Sequence, residues 1–537
     1  MAKKLTYFYL LPITSVLFLG SIASLFRTTC FELYMKNELP SYQNDAPLAL
    51  AVLLAVVCAG FYWVNSYLAL KSIKLTAVCL FSCGWAVLAS LFFVLLFRCG
   101  AVCDSGFLSE YAVAFMDGNY EAFGRGSYLH HYPFQLGMTA FLEVVYRLFG
   151  AENYLAFQMI NVVSIAGIIF LLQKITWELF EDGRIVLWEG VLSMGMLPLF
   201  LYATFVYGDI VGLALGIGAV YCGICFLKRG KWRYIFIAGA AFFFGIAVKS
   251  NDDVFLVAFV IILLLKMVQE RKLGFRLLLG ILGVVALSQA GMPVVESVYT
   301  RRAGIERVWE GTPKAAWIAM GLQEADESYN GCGWYNGYNM DIYRDNNFDN
   351  EKTKEACIQN IGESLRRFGR NPGDMVYFFY RKFVSQWNDP TFQSLMMNEW
   401  YSRYTQGKTA LADFFLYGAG RQILLWLMNF YHLLFLVSAT AGCIFIIRDW
   451  RLERAYLLLN VFGGFFFHMI WEAKSRYILG YFVLLLPVAG AGLVRILGGG
   501  HGRWQKKNSA MGKAGGADFN KSVDASGILG RDVEKKL

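Results

Sequence analysis

The chain has 537 residues, 57% of them hydrophobic and 17% charged, with a mean hydropathy of +0.45 and a formal net charge of +9. That balance excludes a soluble globular domain. The apolar runs are of helix-spanning length, so the expected fold class is an all-α polytopic membrane protein. Lys and Arg sit in short clusters between these runs, as cytoplasmic loops do, which argues against a nucleic-acid partner.

In chain order, residues 1–74 form an N-terminal two-span segment. Lys3 and Lys4 precede the first run, 5–26, which lacks a small-x-small cleavage site before Arg27 and reads as a retained anchor. The run 47–70 follows. A core unit, 75–297, then supplies spans at 75–97, 153–172, 186–206, 209–227, 233–249, 253–268 and 276–297, with an outer loop at 98–152. Residues 298–420, rich in Gly, Asn, Asp, Tyr and Trp, are expected to form a small helical extracytoplasmic cap, with helical periodicity at 363–370 and 375–387. C-terminal spans follow at 421–447, 453–470 and 476–497, and a disordered cytoplasmic tail at 498–537. In that tail the acceptor triplet at Asn520 carries no meaning.

The count is therefore about twelve spans. Assigning the basic clusters at 71–74, 228–233, 266–276 and 448–454 to the cytoplasm places both termini inside. One apolar stretch, 134–150, breaks this parity if it spans. Gln135, Thr139, Glu143 and Arg147 recur along it every fourth residue, a single polar stripe that suits a helix lying in the interface, the alternative being a spanning helix with the stripe turned into the bundle. A second amphipathic helix is expected at 107–116, with Phe107, Leu108, Tyr111, Ala112 and Phe115 on one face against Ser109 and Glu110. The outer loop thus becomes a platform on the membrane surface.

The same topology gathers polar groups at the outer face. Asp104 lies just past the third span; Tyr128, His130, His131 and Tyr132 precede the interfacial helix. Tyr207 and Asp209 occupy one outer turn, Lys249, Asn251, Asp252 and Asp253 the next, and Glu472, Lys474, Arg476 and Tyr477 the last. Asp104 is the candidate general base, because a carboxylate at a membrane boundary is partly desolvated and can take a proton from an acceptor. Arg476, with two parallel donors, and Lys474 suit a phosphate, with Lys249 assisting as a point charge. Asp209 suits a sugar hydroxyl or a helix N-terminus. The eleven cysteines hold no paired CxxC units; Cys222 and Cys225 read as packing, while Cys99 with Cys103 and Cys332 with Cys357 are the candidate outer cross-links. No cluster forms a tight metal cage, although Asp104 with Glu110 or Asp253 offers a weak divalent-cation site.

Asp104 followed by an amphipathic helix, then Gly118-Asn119-Tyr120, then His131-Tyr132-Pro133-Phe134-Gln135-Leu136-Gly137, resembles the first outer loop of GT-C membrane glycosyltransferases. That group includes protein O-mannosyltransferases and bacterial aminoarabinose transferases. Tyr207-Gly208-Asp209 and the stretch from Trp471 to Tyr477 are similar to bacterial members, and the likeness runs over roughly residues 75–497. The chain departs from the pattern in having Ser105 after Asp104 rather than a second acid, leaving Glu110 or Asp117 for that role. It also has Pro133-Phe134 in place of a double proline, and three spans rather than one before the loop.

The resemblance implies a polyprenyl-phosphate-linked sugar as donor and an envelope polymer, lipid or protein as acceptor, with Asp104 as catalytic base. It implies Arg476 and Lys474 at the donor phosphate, and with the outer-face reading Glu110, Tyr128, His131, Tyr132, Tyr207, Asp209, Lys249, Glu472 and Tyr477 complete the expected substrate-binding residues. The expected place is the bacterial plasma membrane, among its lipids, with the active site extracytoplasmic. The alternatives are a transporter or flippase for a lipid-linked sugar, which calls for ionisable groups near the midplane, and a non-catalytic receptor using the cap.

Overall fold

The structure, a computed structural model, describes residues 1–31, 39–68, 74–270, 274–324, 331–403, 405 and 407–498. The predicted tail, its Asn520 triplet and parts of the basic clusters at 71–73 and 271–273 lie outside the described residues. Those described fold into 23 α-helices, four short 3-10 helices and one two-stranded antiparallel sheet, Arg27–Phe31 with Pro40–Asn44. The protein is a helical polytopic membrane protein. Among the described residues, eight helices are long and apolar enough to cross a bilayer, and nine if the bent pair Gly183–Gly195 and Leu197–Thr204 is one span.

The expected twelve spans therefore need three more. Arg233–Val248 and Asp253–Gln269 have 16 and 17 residues, or about 24–26 Å at 1.5 Å per residue, short of a ~30 Å hydrocarbon core. Leu452–Ile470 carries Glu453, Arg454, Asn460 and His468. Length and composition alone do not make these three spans.

Two expectations about the platform are corrected. The first helix starts at Cys103 rather than 107 and runs to Met116, with Cys103 in a left-handed conformation (φ 51°) directly before Asp104. Its buried face includes Ser109, whose hydroxyl meets Tyr146 at 2.8 Å, while Phe107 is 45% exposed. The second helix, Leu136–Phe149, turns its polar stripe into the protein instead of toward headgroups. Buried Glu143 pairs with Arg302 and Arg147, each at 2.7 Å, and accepts from Tyr299. A buried carboxylate needs such partners, and the Gly291–Ala303 helix supplies them.

The region 298–420 contributes six helices, of which Asn350–Arg370 and Pro372–Trp387 contain the two stretches of helical periodicity. Pro372 sits at the first turn, where its missing N–H costs nothing. Trp317, Met320 and Cys357 pack with Tyr132 of the outer loop. The region is clipped to the last outer turn: Ala473 N–H donates to Gly333 O at 2.8 Å. Buried Lys382 donates to Gly321 O and, at 2.7 Å, to Trp471 O. Neither candidate cross-link is formed, since Cys99 lies against Asn398 and Cys357 against Tyr338.

Candidate functional site

Three outer turns meet beside the N-terminus of the Asp209–Arg229 helix. Gly208, Gly212 and Gly216 recur every fourth residue on one face of it, and the Lys249 turn packs onto that stripe. A Cβ on Gly208 would stand 2.5 Å from Val248 O, and one on Gly212 2.7 Å from Lys249 Cβ. Only glycine permits this approach. Gly137 does the same for the platform helix, where a Cβ would fall 1.9 Å from Ala247 O.

The approach sets the charges. Lys249 Nζ donates to Asp209 Oδ1 at 3.1 Å, and Arg476 Nε stands 4.0 Å from the same oxygen. All three side chains are 15% exposed or less. Burial pulls the Lys249 ammonium below its usual range, and Asp209 opposes the shift. Both cations lie against aromatic faces: Lys249 is 4.8 Å from the Tyr207 ring and 5.5 Å from Tyr477, and Arg476 lies 5.1–5.6 Å from Phe205, Tyr207 and Tyr477. Asp209 lines a small cleft, about 50 Å³ in volume, with Lys249, Asp252, Arg476, Tyr477 and Tyr481. Three buried polar atoms there, Asp209 Oδ2, Asp252 Oδ2 and Arg476 Nε, have no hydrogen-bond partner among the described residues.

Arg476 is held from behind. Asp389, fully buried, accepts from Ser475 Oγ at 2.6 Å and from the N–H of Gln393 at 2.8 Å. Gln393 Oε1 in turn accepts the Arg476 N–H at 3.4 Å. These bonds fix the first turn of the Ser475–Ile496 helix.

Tyr207 joins this cleft to the outer loop. Its hydroxyl accepts from Gln135 Nε2, and burial followed by the negative charge of Asp104 pushes the phenol well above its usual range. The Asp104 carboxylate, itself exposed, acts in the same sense on Tyr128, Tyr132 and Tyr401. Tyr207 thus feels the charge of Asp104 while its ring lies against both Lys249 and Arg476. Tyr132 also feels Glu472, and Lys474 pairs with Glu472 at 3.7 Å and lies 5.7 Å from the Tyr335 ring.

Two expected members stand apart. His131 is buried against Tyr343 and Phe348, with its carbonyl accepting from Thr312 N–H at 3.0 Å, so it ties the 98–152 loop to the 298–420 region. Glu110 is exposed six residues along the helix from Asp104, about 240° around it, and its charge reaches Tyr111 and Tyr154. Among the described residues no group of three or more His, Cys, Asp or Glu could hold a metal ion. Sequence reasoning passed over Asp252, Gln135, Tyr401 and Asp389 as site residues. The every-fourth glycine spacing was the available signal for the first of these.

No protein-family model matches the chain, and no curated protein matches it. Among solved structures, the archaeal oligosaccharyltransferase AglB from Archaeoglobus fulgidus, in complex with an inhibitory peptide and a dolichol-phosphate, is similar at 12% identity. The match covers 78% of this chain and 50% of that chain, with a TM-score of 0.39. The Archaeoglobus fulgidus oligosaccharyltransferase tethered with an acceptor peptide containing the NVT sequon is similar at 11% identity, covering 78% of this chain and 49% of that one, with a TM-score of 0.39. The chain spans about half the length of these solved chains.

Proposed function

We propose that the chain is a membrane glycosyltransferase that moves a sugar from a polyprenyl-phosphate donor to a cell-envelope acceptor, at the outer face of a bacterial plasma membrane. The observation that carries this reading is that one phenol, Tyr207, feels the charge of an exposed carboxylate, Asp104, and has the buried cations Lys249 and Arg476 against its ring. In the inverting step an acceptor hydroxyl attacks the anomeric carbon and its proton passes to Asp104. The bond from that carbon to the phosphate oxygen breaks, and its electron pair leaves with the polyprenyl phosphate. Arg476 and Lys249 stabilise the departing phosphate, and Asp209 orients them without cancelling both charges.

Asp104→Asn tests it. Asp104 is exposed and at a helix start, so the variant folds. Transfer from a polyprenyl-phosphate sugar should fall at least about 10²-fold, the scale of general-base loss. Wild-type turnover in that variant removes Asp104 from the mechanism.

A transporter of a lipid-linked sugar has one observation in its favour. Glu189, fully buried in the Gly183–Gly195 helix, accepts from Ser193 at 2.7 Å and has a second oxygen without a partner among the described residues. Glu189→Gln separates the readings: it spares transfer in the first and abolishes lipid flipping in vesicles in the second.

A further inference from the structure

The cleft has two carboxyl groups with opposite surroundings. Asp209 holds Lys249 at 3.1 Å and Arg476 at 4.0 Å. Asp252 ends the short turn Ser250–Asp252 and has no ion pair or side-chain hydrogen bond among the described residues. It is 4% exposed, yet it lines the same cleft. Its Oδ2 rests over three glycines: a Cβ on Gly245, Gly212 or Gly216 would stand 2.8, 3.3 or 3.6 Å from it. None of these offers a side-chain partner and Oδ2 itself has no exposed surface, so the other carboxyl oxygen is the one left to meet the cleft that Asp252 lines.

We propose that Asp252 is a ligand-binding residue of this cleft, a neutral carboxylic acid whose O–H donates to a phosphate oxygen of the bound donor, and whose ionisation switches that binding off. The proposal rests on the reading of the cleft as the donor site. A neutral acid is a hydrogen-bond donor, whereas an ionised one is an acceptor only. With Asp252 neutral, the cations Lys249 and Arg476 outweigh the single charge of Asp209, and the cleft attracts an anion. With Asp252 ionised, that surplus is gone and a negative oxygen faces the phosphate.

The surroundings favour the neutral form. Burial pushes the Asp252 carboxyl up to about 8, with Asp253 and Asp209 adding to the rise and Lys249 opposing it. The groups that face it are Asp209 on the Asp209–Arg229 helix, Lys249 on the preceding turn, Asp253 on its own helix, and Arg476, Tyr477 and Tyr481 on the Ser475–Ile496 helix. His468 on Leu452–Ile470 lies near enough to feel Lys249. Asp253 is itself engaged, accepting from Gln289 at 3.0 Å. Lys249 is the other group whose titration bears on the alkaline side, because burial lowers it.

The test is binding of a polyprenyl phosphodiester, which has no titrating group of its own between pH 6.5 and 9.5, to the full chain in detergent micelles. The wild type should lose about thirtyfold in affinity across that range as one group near 8 ionises. Asp252→Asn, which keeps a donor and cannot ionise, should hold the neutral-pH affinity and lose the step near 8, keeping only the fall that Lys249 contributes. Asp252→Leu should bind about tenfold more weakly at every pH, having lost one charge-directed hydrogen bond. A flat wild-type profile, or an Asp252→Asn variant with the same alkaline fall, overturns the role of Asp252 and leaves the donor reading standing. A folded wild type that binds the diester at no pH overturns the donor reading, and the role of Asp252 with it.

Discussion

Gly212→Ala is the sharpest perturbation the site offers, because it adds one methyl group and no charge. The new Cβ would lie 2.7 Å from Lys249 Cβ, 3.3 Å from Asp252 Oδ2 and 3.4 Å from Lys249 Cγ. Carbon atoms prefer about 3.5–4.0 Å, so the Lys249 turn must retreat by roughly 1 Å. The Lys249 to Asp209 distance, now 3.1 Å, would then reach about 4 Å, beyond a hydrogen bond. At an effective dielectric near 20 the Coulomb attraction falls by about 1 kcal/mol, and the lost charged hydrogen bond adds about 1.5–3 kcal/mol. A displacement of that size at a binding site costs about 10²-fold in rate.

Global stability should fall as well, because the weakened Lys249 to Asp209 pair adds to about 1–3 kcal/mol of overpacking and only about 1 kcal/mol of helix propensity offsets them. The control is Gly218→Ala on the same helix, where the nearest atom to a new Cβ is Leu171 Cδ1 at 3.9 Å. The assay is initial-rate transfer from a polyprenyl-phosphate sugar, beside thermal denaturation in detergent. If Gly212→Ala transfers sugar as fast as Gly218→Ala while both stay folded, the Lys249 turn is not what the glycine stripe positions.

The remaining predictions concern what holds the site in place. Glu143→Ala should cost about 3 kcal/mol, since Arg302 loses a buried carboxylate partner, whereas Arg147→Ala should cost under about 1 kcal/mol because Arg147 is 49% exposed. Thermal denaturation in detergent separates them, and equal losses would refute the assignment of Glu143 as the buried tie. Lys382→Met leaves the carbonyls of Gly321 and Trp471 without their donor and should cost about 2 kcal/mol. The same variant should speed hydrogen exchange at the Ala473 amide, which donates to Gly333 O; unchanged exchange there would show that Lys382 does not clip this turn.

Much of the architecture was legible in the chain itself. Hydropathy and length located the apolar helices, because a bilayer accepts only segments that satisfy their own backbone. Period alone marked 363–370 and 375–387, which lie within the helices Asn350–Arg370 and Pro372–Trp387. The chain order of the turns likewise picked out Asp209, Lys249 and Arg476, which the fold gathers into one cleft, and Tyr207, whose ring lies against the two cations. Their type and their place at helix ends were the whole signal.

Local sequence could not say which way a polar side chain turns. The Glu143 stripe has the same four-residue period whether it faces headgroups or protein, and its partner Arg302 lies 159 residues away. Ser109 reads as the polar side of its helix, yet packing buries it against Tyr146. Asp209 and Asp252 are both acids at helix ends, and only the fold, by placing Lys249 3.1 Å from the first and three glycines beneath the second, makes one an ion-pair partner and the other an isolated acid. The sequence alone determined which segments are apolar and which residues stand at their ends, because those follow from local composition. Tertiary structure decided which of those ends face one another, because burial and pairing energies arise only between groups that the chain has first brought together.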